Sequence, residues 1–188
     1  MNRVACFAVL LALSCGQAIS GEVVEAATRA ESLAGQGKFT EALQALETAR
    51  DSIWKAAPLS FGKTIFVASD PAGFGIYDAR DSNEFKPGQV IVIYTEPSGY
   101  GYGKDGEISV IDLKLDFEIK NNAGESLAKQ ENFASWQLRS RFANKEFMGK
   151  ITYNFTGLDP GEYEVVTTAK DQNSSKTASF AMPFKIVP

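Results

Sequence analysis

Apolar and polar residues alternate along the C-terminal two thirds of the chain, and this alternation constrains the fold more than any other feature of the sequence. It is clearest from Ile111 to Lys120, where Ile, Leu and Phe occupy the odd positions and charged residues occupy the even ones. Successive side chains of a β-strand point to opposite faces of a sheet. The pattern therefore predicts a strand with one buried and one solvated face.

Similar segments recur from Lys63 onward, and Pro-, Gly- and Asn-containing turns separate them. No helical pattern interrupts them, which favours an antiparallel arrangement over alternating strands and helices. The predicted strands cover residues 64–69, 73–78, 89–96, 107–120, 127–138, 145–155, 162–170 and 177–187. Seven or eight such strands predict a mainly β fold, an antiparallel Greek-key sandwich over residues 61–188.

One turn resembles a known corner of such sandwiches. The segment Leu158-Asp159-Pro160-Gly161-Glu162-Tyr163 is similar to the L-x-P-G-x-Y corner of immunoglobulin-like and fibronectin type III domains. The resemblance implies that Tyr163 opens the penultimate strand and that its hydroxyl bonds the backbone a few residues upstream. The Cys…Trp…Cys pattern of antibody domains is absent from the sequence.

A helical hairpin is predicted ahead of the sandwich, over residues 21–60. Apolar residues recur at helical spacing from Val23 to Ala34, and Gly35-Gln36-Gly37 then interrupts the pattern. A second apolar stripe runs from Phe39 to Ile53 and ends before Pro58. Helices this short are marginal in water, so we expect the stripe to have a packing partner.

The first 20 residues have the pattern of a signal peptide. Asn2 and Arg3 precede ten apolar residues, and Ala18-Ile19-Ser20 fits a cleavage site. This predicts a periplasmic or secreted protein. Cys15 lies in Ala12-Leu13-Ser14-Cys15-Gly16, which is close to a lipobox, so lipidation at Cys15 and membrane anchoring is the alternative.

Export would leave a chain without cysteine, because Cys6 and Cys15 both lie in this segment, and the sequence contains no histidine. Catalytic Ser-His-Asp and Cys-His arrangements are thereby excluded, as are zinc sites built from His or Cys. We therefore expect a non-catalytic protein with no cofactor and no metal. A net charge of -4 also disfavours nucleic acid as a partner. A carboxylate-dependent glycan hydrolase is left open as a less favoured alternative.

Candidate ligand-binding residues occur in a loop where tyrosines alternate with glycines. Tyr94 and Glu96 precede Pro97-Ser98-Gly99, and Tyr100 and Tyr102 are each followed by glycine. Tyrosine offers a flat face for stacking and a hydroxyl, which suits a carbohydrate-binding module. The alternative is that these rings cover the end of the hydrophobic core.

A second candidate group is Trp136, Arg139 and Arg141. In an extended segment the two arginines share one face and are suited to bind a carboxylate or phosphate in bidentate fashion. The alternative is that they form ion pairs with carboxylates on neighbouring strands.

Taken together, the export signal, the helical hairpin, the Tyr/Gly run and the tyrosine corner resemble a group of secreted proteobacterial proteins with an immunoglobulin- or fibronectin-like sandwich. The resemblance implies a periplasmic setting and no particular activity. We predict an exported binding or envelope-structural module that mediates protein interaction, with another envelope protein or a glycan as partner. Membrane association is expected only if Cys15 is lipidated.

Overall fold

The computed structural model describes residues 9–188, with side chains described from Gly21 onward. The predicted signal peptide, its cleavage after Ser20 and the lipidation of Cys15 fall outside the described side chains and stay predictions. Of the helices described, none has an apolar stretch long enough to cross a membrane. The chain divides into two units, a helical unit ending at Ala57 and a β unit spanning Pro58–Pro188.

The helical unit is a hairpin of α1 (Val9–Gly35) and α2 (Phe39–Ala56). Gly37 joins the helices with a φ of 76°, a left-handed conformation that glycine adopts without steric cost. Its amide donates to the Ala34 carbonyl at 2.9 Å, and the Lys38 amide donates to the Leu33 carbonyl at 3.0 Å. These bonds satisfy carbonyls at the end of α1 and reverse the chain.

Alanines form the contact between the two helices. Ala30 of α1 packs with Ala42 and Ala45 of α2, and all three are buried. The predicted stripe on α2 is therefore divided, because its alanines face α1 while Phe39 and Leu43 stay exposed. Leu33 and Ala34 of α1, both partly buried, pack against these three alanines.

The β unit contains nine strands, so the described chain is mainly β with two N-terminal helices, as the sequence predicted. The strands are β1 (Ser60–Val67), β2 (Glu84–Phe85), β3 (Ile91–Ser98), β4 (Gly103–Asp105), β5 (Ile108–Asn121), β6 (Ser126–Ser140), β7 (Gly149–Tyr153), β8 (Gly161–Asp171) and β9 (Thr177–Ile186).

The strands form two sheets. The smaller has the order β1-β3-β7 and is antiparallel. In the larger, β2 lies parallel to β9, and β9-β8-β5-β6 follow as antiparallel neighbours. Strand β4 also pairs with β5, at Ile108–Val110. Because β6 already pairs with Val110, β4 must lie on the edge of β5 that faces β8.

Side chains from both sheets meet in one core. The Tyr153 hydroxyl of β7 lies 2.7 Å from the Thr167 hydroxyl of β8. The Trp136 indole of β6 donates to the Lys150 carbonyl of β7 at 2.9 Å. The Phe61 ring of β1 packs edge-on against a β9 ring. Each contact joins one sheet to the other.

The predicted strand over residues 73–78 is wrong, because this segment is a turn. The Ile76 amide donates to the Gly73 carbonyl at 3.0 Å, and the Ala72 amide donates to the Ile76 carbonyl at 3.0 Å. Gly75 has a φ of 72°, which lies outside the range of a strand. The short strands β2 and β4 were not predicted.

The hydroxyl contact implied for Tyr163 is present. Tyr163 lies at the start of β8, and its hydroxyl donates to the Asp159 carbonyl, four residues upstream, at 2.8 Å. The ring also stacks on Phe184 of the last strand, with ring centroids 5.7 Å apart. This tyrosine therefore fixes the turn that leads into β8.

Candidate functional site

Tyr94 lies within the core, where its hydroxyl holds a neighbouring turn. The hydroxyl donates to Glu96 Oε1 and accepts from the Gly75 amide, both at 2.7 Å. The Tyr94 ring also packs against Tyr77, with centroids 4.4 Å apart. The pKa of Tyr94 is raised to about 12: burial is the largest cause, the Gly75 amide opposes the shift, and the bond to Glu96 adds to it. Two of the candidate ligand residues thus position residues 73–76.

Tyr100 and Tyr102 support a different segment, the one that follows β6. Both hydroxyls donate to the Asn144 carbonyl at 2.8 Å. Tyr100 is buried and packs edge-on against Tyr102 and Phe147. A buried ring has no open face on which a sugar could stack, so in this structure Tyr100 closes the core end, as the alternative proposed.

Gly101 and Gly103, which follow the two tyrosines, lie against a polar cluster at the β8–β9 turn. Asp171 accepts a bond from the Gly101 amide at 2.6 Å. The Asn173 side chain donates to the Val110 carbonyl at 2.9 Å, and a Cβ on Gly103 would overlap its amide oxygen. The contact between this turn and the Tyr/Gly loop could not be predicted from the sequence, because the two segments are about 70 residues apart.

The second candidate group lies on β6 and just beyond it. Trp136 points into the core and is buried. Arg139 pairs with Asp105, and Arg141 pairs with Glu107 at 3.2 Å. Both pairs are well exposed to solvent. The arginines therefore form ion pairs, as the alternative anticipated, but their partners lie at the end of β4 and in the turn after it and not on a strand beside β6. Surface pairs of this kind contribute little free energy.

Strand β6 is an edge of the larger sheet. Among the described strands it pairs with β5 and with no other. Its N-terminal half is irregular, since the register shifts near Asn132, which has a φ of 50°. From Ala134 to Ser140 the pairing with β5 runs through seven consecutive residues without a shift. We call this segment, Ala134–Ser140, the regular edge.

Two hydrogen bonds on the far side of β5 fix which backbone groups of the regular edge point outward. The Asp112 carbonyl accepts the Gln172 amide at 2.9 Å, and the Val110 carbonyl accepts the Asn173 side chain at 2.9 Å. Both donors follow β8, so residues 110 and 112 direct their backbone groups toward β8.

Because these directions alternate along a strand, residues 111 and 113 of β5 direct their groups toward β6. Their partners there are Leu138 and Trp136. The backbone N–H and C=O groups of Ser135, Gln137 and Arg139 therefore point away from β5, toward the open edge of the sheet. The regular edge thus offers three amides and three carbonyls in the geometry of a missing neighbour strand.

An apolar side chain lies just past the regular edge. Phe142 is 76% exposed, and its amide donates to the Ser140 hydroxyl at 3.1 Å. Two residues later, the Asn144 carbonyl accepts hydrogen bonds from the Tyr100 and Tyr102 hydroxyls. The structure therefore places Tyr100, Tyr102, Arg141 and Phe142 around one end of β6.

The described residues contain no cluster suited to a metal ion. In the part of the chain with described side chains, no three His, Cys, Asp or Glu side chains come together as ligands would. What the site offers chemically is hydrogen-bonding backbone, two exposed guanidinium groups and an aromatic ring.

The chain matches no protein-family model and no curated protein. Among solved structures it is similar to the alkylpurine DNA glycosylase AlkC of Pseudomonas fluorescens bound to DNA containing an abasic site analog. That match has a TM-score of 0.38 and 9% identity and covers 77% of this chain and 39% of the other. It is also similar to Spo0M, a sporulation control protein of Bacillus subtilis, with a TM-score of 0.29, 14% identity, and coverage of 70% and 50%. The chain spans half or less of each protein, and similarity this low gives no basis for inferring function.

Proposed function

We propose that the protein is an exported, non-catalytic module that binds another envelope protein, and that its β unit is an immunoglobulin-like Greek-key sandwich. Two features support the fold proposal: the sheet orders β1-β3-β7 and β2-β9-β8-β5, with β4 and β6 each pairing with β5, and the Tyr163–Asp159 corner bond of 2.8 Å. The proposal that the protein is exported to the cell envelope rests on the predicted export signal in residues 1–20.

The observation that carries the binding proposal is the regular edge. An extended peptide that adds to a sheet edge gains main-chain hydrogen bonds, and pockets for its alternate side chains supply specificity. The regular edge has no proline and no bulge, which are common devices that protect an exposed edge from pairing. Its partner would be an extended segment that bonds Ser135, Gln137 and Arg139.

Side chains around the edge indicate the chemistry of that segment. Arg139 and Arg141 can exchange their present exposed carboxylates for carboxylates of a partner at little cost in free energy. Phe142 is the large apolar side chain with the greatest exposed fraction among those described. An extended segment carrying acidic residues and an apolar anchor fits these groups.

The carbohydrate alternative has weaker support, because it requires open tyrosine faces and Tyr100 is buried. The glycan-hydrolase alternative requires two carboxylates across a cleft, and no such pair is part of the site described above.

The test is photo-crosslinking in cells that produce the protein, with a photoreactive phenylalanine analogue in place of Phe142. We expect one discrete protein adduct that is retained in Gln137→Ala and lost in Gln137→Pro. Proline removes the outward amide of residue 137 without removing a bond to β5, whereas alanine keeps that amide.

The matched control is the same analogue at Val90, which is also an exposed apolar position but lies outside β6. It should give no such adduct. An adduct at Phe142 that survives Gln137→Pro, or the absence of any adduct there, would contradict binding through the regular edge.

A further inference from the structure

We propose that the regular edge is partly self-inhibited, because Asp105 and Glu107 occupy the two arginines that carboxylates of a partner would bind. The inference rests on the strand-addition function proposed above and specifies its partner, an extended segment with two acidic residues separated by one residue. We call Asp105 and Glu107 the internal carboxylates, because they take the place of that acidic pair in the free protein.

The two arginines bind the internal carboxylates one to one. Arg139 donates to Asp105, and Arg141 donates to Glu107 at 3.2 Å. The arginines are two residues apart in the sequence, and so are the carboxylates. An extended strand repeats its side chains on one face every two residues. A partner strand with the pattern acidic–any–acidic therefore brings one carboxylate to each arginine.

The Arg139 side chain crosses β5 to reach its carboxylate. Asp105 ends β4, which lies on the side of β5 that faces β8, whereas Arg139 belongs to β6 on the other side of β5. Neighbouring strands are about 4.8 Å apart, so Asp105 is two strand spacings away from Arg139. A residue of an added strand would be one spacing away. The guanidinium therefore reaches a partner carboxylate by turning from β4 toward the open edge.

The existing ion pairs do not hold the arginines in a buried contact. All four side chains, those of the two arginines and the internal carboxylates, are more than half exposed. Exposed pairs of this kind have small net free energies, because both charges stay largely hydrated. The arginines can therefore exchange one carboxylate for another without disturbing the core.

The β4–β5 turn holds the internal carboxylates beside the arginines. Asp105 pairs with Ile108 across this turn, and Gly106 between the two carboxylates has a φ of 58°, which glycine adopts without steric cost. Tethered carboxylates compete at a high effective concentration with any free one. A partner strand overcomes this competition because it also forms main-chain bonds along the regular edge, which a lone carboxylate does not.

The competition has a size that can be measured. An exposed ion pair changes an equilibrium constant by about two- to fivefold. The two internal pairs together should therefore weaken the binding of an acidic segment by about tenfold. They should not affect a segment without acidic residues, because the arginines then stay with the internal carboxylates.

The first test identifies the segment captured by the photoreactive analogue at Phe142, by mass spectrometry of the digested adduct. We expect a segment in which two Asp or Glu residues are separated by one residue. A captured segment without such a pair would overturn the inference and leave strand addition standing.

The second test is a titration of the full chain with a synthetic peptide of the captured sequence. The variant Asp105→Asn/Glu107→Gln should bind this peptide about tenfold more tightly than the wild type. The matched control is Glu162→Gln/Glu164→Gln near the start of β8, which removes the same charge with the same spacing and should leave the affinity unchanged. A peptide whose acidic pair is replaced by amides should bind the wild type and the first variant equally.

The third test asks whether the internal carboxylates act through the arginines. In an Arg139→Gln/Arg141→Gln background, removing the internal carboxylates should no longer tighten binding. A gain that persists in this background would be an effect of net charge and would overturn the inference, as would the absence of any gain in the wild-type background. Both results would leave strand addition standing, whereas the absence of an adduct at Phe142 would contradict strand addition and this inference together.

Discussion

Tyrosine hydroxyls tie neighbouring segments together at five positions of the molecule. Tyr94 holds the turn at Gly75, Tyr100 and Tyr102 hold Asn144, Tyr153 meets Thr167, and Tyr163 holds Asp159. An aromatic ring fills core volume while its hydroxyl satisfies a polar group at the edge of that core. In this structure the tyrosines therefore support the loops around the sheets.

These tyrosines give the β unit a predictable response to alkaline pH. Burial raises the pKa of Tyr153 to about 12, with the Thr167 bond opposing the shift, and the pKa of Tyr94 is also about 12. Between pH 10 and 12 the unfolded chain loses these protons and the folded chain keeps them. The free energy of unfolding should therefore fall by about 1.4 kcal/mol per pH unit for each tyrosine.

The measurement is urea unfolding of the wild type and of Tyr153→Phe at several pH values. Stability from these groups should be complete below pH 10 and lost as pH rises through 12, and the slope should be about halved in Tyr153→Phe. A wild-type free energy that stays constant from pH 9.5 to 11.5 would contradict the burial of these hydroxyls.

The sequence identified Tyr94, Tyr100 and Tyr102 as candidate ligand-binding residues but did not show whether their rings face solvent or the core. Tyr100 and Tyr102 occur in a Gly-rich loop, where composition alone suits either a ligand platform or a core cover. The difference depends on Asn144 and Asp171, which contact this loop from far along the chain. A single sequence carries no signal for such contacts.

At the scale of elements, alternation was sufficient to locate the long strands. Strands β5, β8 and β9 lie within about two residues of their predicted bounds, because each has one buried face. The strand predicted over residues 73–78 is absent, because Gly75 adopts a left-handed conformation. Strands β2 and β4 have two and three residues, too few for a period to be visible.

The helices show a similar limit. Their 3.6-residue period predicted the hairpin correctly, yet it did not separate the alanine contact from the exposed leucines. Both sets are apolar and lie on adjoining sides of α2. Hydrophobicity alone does not distinguish a close contact between small buried residues from an exposed apolar surface.

Packing between β6 and β7 gives a test at this scale. A Cβ on Gly149 of β7 would overlap the Trp136 ring of β6, whereas a Cβ on Gly62 of β1 would meet its nearest atom at 3.6 Å, an ordinary contact. Gly149→Ala should destabilise the chain by about 1–3 kcal/mol. Gly62→Ala, in the same sheet, is the matched control and should have a much smaller effect in urea unfolding. Equal effects would contradict the described Trp136 packing.

At the scale of the whole molecule, the chain divides into two units, and the proposed binding surface lies in one of them. The regular edge belongs to the β unit and offers backbone hydrogen-bonding groups, while the helical unit carries exposed apolar side chains at Phe39, Leu43 and Leu46.

The central claim, that Ala134–Ser140 is an open edge, is tested most directly by amide hydrogen exchange in the protein alone. We predict alternation with a period of two: fast exchange at Ser135, Gln137 and Arg139, and slow exchange at Trp136 and Leu138, whose amides bond β5. Uniform protection across these five residues would mean that the outer side is already covered, and it would contradict the account.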